Sequence, residues 1–172
     1  VYPASWSFFA QAQYGWGSGM VGFSLTIVGV ALLICQTMII GPTVRRFGER
    51  NTAYLGMTGG MLAYCFLAFL SNGNIALIFV FFGGIQAVAQ PALNAMMSQR
   101  TPPNQQGELQ GLNGSIAALG FFLSQLAYNN VLAYFTADDA PVKFPGAVFV
   151  MAVAMTLASI IGLALVSRRP VA

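Results

Sequence analysis

Residues 21–40 read VGFSLTIVGVALLICQTMII, twenty positions without a charged side chain. As a helix this stretch rises about 30 Å, the hydrocarbon thickness of a bilayer. Its apolar character is continuous and is not divided into a polar and an apolar face, so it fits lipid on all sides better than one wall of a soluble core. The whole chain agrees: of 172 residues, 57% are hydrophobic and 6% are charged. A soluble domain carries roughly a quarter charged residues, because its surface faces water. A soluble globular protein is thereby excluded, and the sequence specifies an all-α integral membrane protein.

Working outward, Gly41-Pro42 is expected to end this first span, and a polar loop follows with Arg45, Arg46, Glu49 and Arg50. A second span is expected over residues 52–70, closed by the turn-forming run Ser71-Asn72-Gly73-Asn74. The third covers 75–97 and is followed by Arg100 and the Pro102-Pro103 breaker. The fourth covers 109–133, before a loop with Asp138, Asp139 and Lys143. The fifth covers 147–166, with Arg168 and Arg169 beyond it. Upstream, residues 1–18 interleave Tyr2, Trp6, Phe8, Phe9, Tyr14 and Trp16 with Gln, Ser and Gly. Such rings collect at the membrane–water boundary. The segment reads as an interfacial helix or the end of a preceding one, with packing against a partner as the plainer alternative. Val1 stands where an initiator Met is absent and no basic leader precedes an apolar stretch, which suggests a fragment or a processed product without a signal peptide.

Five spans put the two ends on opposite sides. Arg45, Arg46, Arg50, Arg100, Arg168 and Arg169 then share one side, and only Lys143 falls on the other. The positive-inside rule makes the arginine side cytoplasmic, with the N-terminus outside, as expected in a bacterial inner membrane. The net charge of +3 is spread between spans and forms no shared patch, so no nucleic-acid partner is expected. Cys35 and Cys65 sit about 6 and 14 residues from their common loop, roughly 12 Å apart in depth, too far for a disulfide. There is no histidine, no phosphate-binding glycine loop and no nucleophile–base pair, so neither enzymatic activity nor a metal or other cofactor is expected.

No Asp, Glu, Lys or Arg lies well inside a span, and such residues are the usual carriers of proton relays. Glu108, at the start of the fourth span, reads as a helix cap. Polar uncharged residues do recur. Gln86, Gln90 and Asn94 fall at i, i+4 and i+8, one face of a helix that Pro91 should kink. Such a stripe of amides suits the wall of an aqueous cavity or hydrogen-bonded contact between helices, and the pattern leaves both open. Gln36, Gln110 and Asn113 pose the same choice. Small residues at four-residue spacing (Gly56 and Gly60; Gly107, Gly111 and Ser115; Ala154, Ala158 and Gly162) signal close helix packing.

The loop Gly41, Pro42, Arg45, Arg46, Gly48, Glu49, Arg50 resembles a loop signature of the major facilitator superfamily, in which two glycines flank an arginine-rich centre. Two blocks resemble the tetracycline/proton antiporter branch more closely: Gln36 to Pro42 running on to Gly48-Glu49-Arg50, and Pro91 to Ser98 followed by Gln106-Gly107-Glu108-Leu109-Gln110-Gly111. Their order and separation match the C-terminal half of that family, so the resemblance implies its helices eight to twelve, with residues 1–18 ending helix seven. Arg45 departs from the acidic residue that usually precedes the arginine, which weakens any gating ion pair from this loop. The resemblance implies a tetracycline-like efflux carrier, with a small hydrophobic drug-like substrate. Gln36, Gln86, Gln90, Asn94 and Asn113 are its cavity candidates, and membrane lipid its surroundings. Carriers of this class rock two halves about a central site, so an N-terminal half is the expected partner and the source of proton coupling. The alternatives are a transporter-like chain kept as a non-catalytic subunit of a larger membrane complex, and a small homodimeric carrier.

Overall fold

In lipid each span must satisfy its own backbone groups, which leaves helices as the available element. The computed structural model describes residues 2–137 and 140–167. Val1, Asp138, Asp139, Arg168 and Arg169 lie outside the described residues, and part of the charge count rests on them. Among the described residues, every regular element is helical: α1 (Tyr2–Tyr14), α2 (Ser18–Ile34), α3 (Ile40–Phe69), α4 (Gly73–Gly83), α5 (Ala89–Gln99), α6 (Gln106–Thr136) and α7 (Ala147–Ser167). A π-helical segment, Cys35–Ile39, joins α2 to α3, and a 3₁₀ segment, Gly84–Val88, joins α4 to α5.

Among the described residues four stretches are long and apolar enough to cross a membrane: Ser18–Phe69, Gly73–Gln99, Pro103–Thr136 and Ala147–Val166. The first has 52 residues. At 1.5 Å per residue that is about 78 Å, more than twice the hydrocarbon thickness. It is interrupted at Gly48, whose φ of 75° and ψ of 165° are closed to residues with a side chain. The chain turns back there. Ala31 before the break and Gly60 after it meet the same 3₁₀ segment: a Cβ built on Gly84 would stand 2.7 Å from Ala31 Cβ, and one on Gly60 2.6 Å from Gln86 Cβ. Two arms therefore run side by side.

Gly41-Pro42 does not end the first span, contrary to the sequence expectation. The helix runs through both residues and breaks at Gly48. Pro42 has no N–H for the carbonyl four residues back, that of Met38, and a wider π turn immediately before it accommodates the loss. Ile40 N–H reaches back five residues to the Cys35 carbonyl, and the Thr43 hydroxyl donates to the Ile39 carbonyl at 2.6 Å. The third span is likewise not one regular helix. Pro91 leaves the Ala87 carbonyl without its usual donor, and Ala87 falls in the 3₁₀ segment.

Hydroxyls within the spans bond mainly to their own helices. Thr26, Thr37, Thr58, Ser115, Thr156 and Ser159 each donate to the carbonyl four residues earlier, at 2.7–3.1 Å. Polar side chains are thereby carried in lipid without an outside partner. Cys35 and Cys65 are both free. Glu108 lies in the first turn of α6, but no side chain caps that end; Gln106 instead donates to the Ser98 and Thr101 carbonyls at 2.9 and 2.8 Å, tying α6 to the end of α5.

Two aromatic residues near the N-terminus pack inward, while Phe8 is exposed. Trp6 and Phe9 are fully buried, and both meet Phe149 of α7, with ring centroids 6.2 and 4.7 Å away. Trp6 donates to the Ser24 hydroxyl at 2.8 Å. Gly15, with φ 64°, reverses the chain into α2. The turn from α3 to α4 closes as the Asn72 side chain accepts from the Asn74 and Ile75 N–H groups. Phe144 stacks on Phe69, so the loop carrying Lys143 lies at this end of α3. The arginines of the Gly48 break lie at the other end, where Gln99 donates to Glu49 at 2.7 Å.

A candidate substrate cavity

A close helix contact starts from absent side chains. Cβ atoms built on Gly56 and Gly60 would stand 2.8 Å from the Ala89 backbone nitrogen and 2.6 Å from Gln86 Cβ. Glycine at both positions lets α3 lie directly against the 3₁₀ segment and α5. The Gln86 side chain then lies along the Gly60 backbone and accepts a hydrogen bond from the Tyr64 hydroxyl at 2.5 Å. Gly60 thus makes room for Gln86, and Tyr64, one helical turn on, holds its amide.

Above this contact opens a cavity of about 800 Å³ between α2, α3, the α4–α5 helix, Tyr128 of α6 and α7. Its polar groups are the Gln86 and Gln90 amides, the Tyr64 and Tyr128 phenols and the Thr156 and Ser159 hydroxyls; Leu32, Met57, Leu93 and Met155 supply apolar wall. Thr156 and Ser159 already donate to carbonyls of their own helix, at 2.8 and 3.0 Å. Among the described residues Gln90 has no hydrogen-bond partner, and it is exposed on the cavity side. Such a space accepts a molecule with a large apolar face and a few oxygen or nitrogen atoms, and its walls carry no formal charge.

Of the five residues the sequence suggested, Gln86 and Gln90 line this cavity and Gln36, Asn94 and Asn113 do not. Gln36 is exposed on the π-helical segment. Asn94 Oδ1 and Asn113 Nδ2 are buried, and neither has a hydrogen-bond partner among the described residues. Spacing put Gln86, Gln90 and Asn94 on one stripe; Gln90 and Asn94 do share α5, one turn apart, but the cavity lining reaches Gln90 and Leu93 and not Asn94. Tyr64, Tyr128, Thr156 and Ser159 were not singled out from sequence. The available signal was hydroxyl-bearing residues inside apolar runs.

The loop residues Gly41, Pro42, Arg45, Arg46, Gly48, Glu49 and Arg50 build the end of the paired arms. Arg46 lies over the Phe47 ring and Arg50 over the Tyr54 ring, at 5.5 and 5.8 Å. The remaining small-residue stripes behave differently from Gly56 and Gly60. A Cβ on Gly107, Gly111 or Gly162 meets nothing within 4 Å, and α6 buries only Tyr128 and Leu132 over its 31 residues.

The family model described as Major Facilitator Superfamily matches residues 1–172. The chain is 38% identical over 138 residues to the tetracycline resistance protein, class B, of Escherichia coli, an alignment covering 76% of this chain and 34% of that protein. The class C tetracycline resistance protein of Escherichia coli is 34% identical over 119 residues, covering 69% of this chain and 29% of that protein. The Hippocampus abundant transcript-like protein 1 of Mus musculus is 24% identical over 170 residues, covering 91% and 34%. The chain thus spans about a third of the length of these relatives. No solved structure matches it.

Proposed function

This chain belongs to the major facilitator superfamily, and from that premise we propose that it is the C-terminal half of a proton-coupled efflux carrier for tetracycline-like drugs. The observation that supports this most is the uncharged, amphipathic cavity at Gln86 and Gln90, beside the close contact of Gly56 and Gly60 with Ala89 and Gln86. A planar drug with several carbonyl and hydroxyl groups suits it: methionines and tyrosines take the ring faces, and the amides pair with oxygens. Proton coupling falls to an N-terminal half, since no carboxylate occurs inside the spans of this one. The site is completed when the two halves close around it, as in other rocking carriers. The arginine-bearing end faces the cytoplasm of a bacterial inner membrane, with the N-terminal end outside.

Affinity purification of the tagged chain from its native membrane tests the pairing. The expected result is an N-terminal transporter half in one-to-one amount, either on the same polypeptide or as a separate one. Stoichiometric recovery with non-transporter subunits instead would favour a structural role and overturn the proposal.

A further inference from the structure

The sharp reversal at Gly48 leaves a second cleft, of about 460 Å³, between the two arms of α3 and the end of α5. Arg50 and Arg100 line it from opposite elements, with Val44 and Met96 as apolar wall. Its one acid, Glu49, is engaged: Oε1 accepts from Gln99 Nε2 at 2.7 Å, which ties the loop to α5. Arg50 lies over the Tyr54 ring at 5.8 Å, and among the described residues neither guanidinium has a carboxylate partner. Arg45 and Arg46 add positive charge on the α3 arm before Gly48.

We propose that this cleft holds the phosphate of an anionic phospholipid headgroup between Arg50 and Arg100. Three features select this ligand. Two guanidinium forks facing one cleft suit a phosphate, to which each donates paired hydrogen bonds. The cleft lies at the end of the apolar stretch Gly73–Gln99, beside the Gly48 break, and basic pockets between helices at the end of their apolar spans recruit anionic lipid. A large apolar side chain beside the Gly48 turn stands open to lipid tails: Phe47 is 46% exposed. Bound there, the lipid bridges the Gly48 loop and the α5 end, the two segments that the Glu49–Gln99 bond already joins.

The test is thermal unfolding of the purified full chain in neutral detergent, followed by the fluorescence of Trp6 and Trp16. Phosphatidylglycerol is expected to raise the midpoint in a saturable way, whereas phosphatidylcholine and millimolar inorganic phosphate leave it unchanged. R100Q should weaken the apparent phosphatidylglycerol affinity by about tenfold, through loss of a charge-assisted pair. E49Q should strengthen it. The control is R45Q/R46Q, which removes two charges outside the cleft and should keep most of the affinity. Equal losses in R45Q/R46Q and R100Q would reduce the effect to diffuse attraction and overturn the proposal. A midpoint shift with inorganic phosphate matching that with phosphatidylglycerol would overturn the lipid assignment.

Discussion

The double substitution G56L/G60L should destabilise the chain by about 2–5 kcal/mol, because each new side chain must enter a contact already at van der Waals limit. At Gly56 the obstacle is the Ala89 backbone nitrogen, 2.8 Å from an added Cβ, and a backbone atom cannot rotate away. At Gly60 it is the Gln86 side chain itself, so α3 must lift off the 3₁₀ segment or Gln86 must leave its bond to Tyr64. Packing carries unusual weight here because apolar surface gains nothing by moving from lipid into protein. The check is the unfolding midpoint in detergent beside G107L/G111L, which carries the same pair of changes on α6. A Cβ on Gly107 or Gly111 meets nothing within 4 Å and leucine is the better helix former, so that variant should unfold no earlier than the wild type.

The second large effect concerns Gln86 and Gln90, which separate by their partners. Q90L removes an amide with no protein partner among the described residues. It should leave stability unchanged and, in a carrier containing this chain, cut tetracycline export by about tenfold, the worth of a hydrogen bond or two to the drug. Q86L removes the acceptor of the Tyr64 hydroxyl, which is buried. It should lower export as much and also cost about 1 kcal/mol of stability, from the lost bond to the Tyr64 hydroxyl. Export rates at matched protein level, read beside unfolding midpoints, separate the two. Full export by both variants would remove the cavity from the transport path.

Much of the fold was legible because a bilayer imposes length and apolarity directly on the sequence. The extents expected for the fifth span, 147–166, and observed for α7, Ala147–Ser167, differ by one residue. The turn at Asn72 and the family were readable for similar reasons: local side-chain chemistry, and a loop motif with two glycines. Gly41-Pro42 misled because a proline is a stop signal only where the helix cannot rearrange, and a π turn at Cys35–Ile39 allows it to continue. The true break, Gly48, looks the same in sequence; its positive φ is a tertiary fact.

The site was legible in part. Amides in an apolar run announced Gln86 and Gln90, and the helical period carried the stripe on to Asn94. Asn94 lies one turn further along the same α5, and how far along that helix the cavity reaches is set by packing between helices. The contribution of Tyr64 depended on Gly60 lying opposite Gln86, a contact between spans. The small-residue stripes show the same limit: Gly56–Gly60 and Gly107–Gly111 are alike in spacing, and only the first is packed against another helix of this chain.

The central claim, that this chain is one half of a drug exporter, is tested most directly by drug accumulation in cells. Cells would make the chain alone, an N-terminal tetracycline-carrier half alone, or both. The account predicts that labelled tetracycline is kept low only where both are present, and that collapsing the proton gradient abolishes the difference. Export by this chain alone, or export with both halves that persists without a proton gradient, would contradict it.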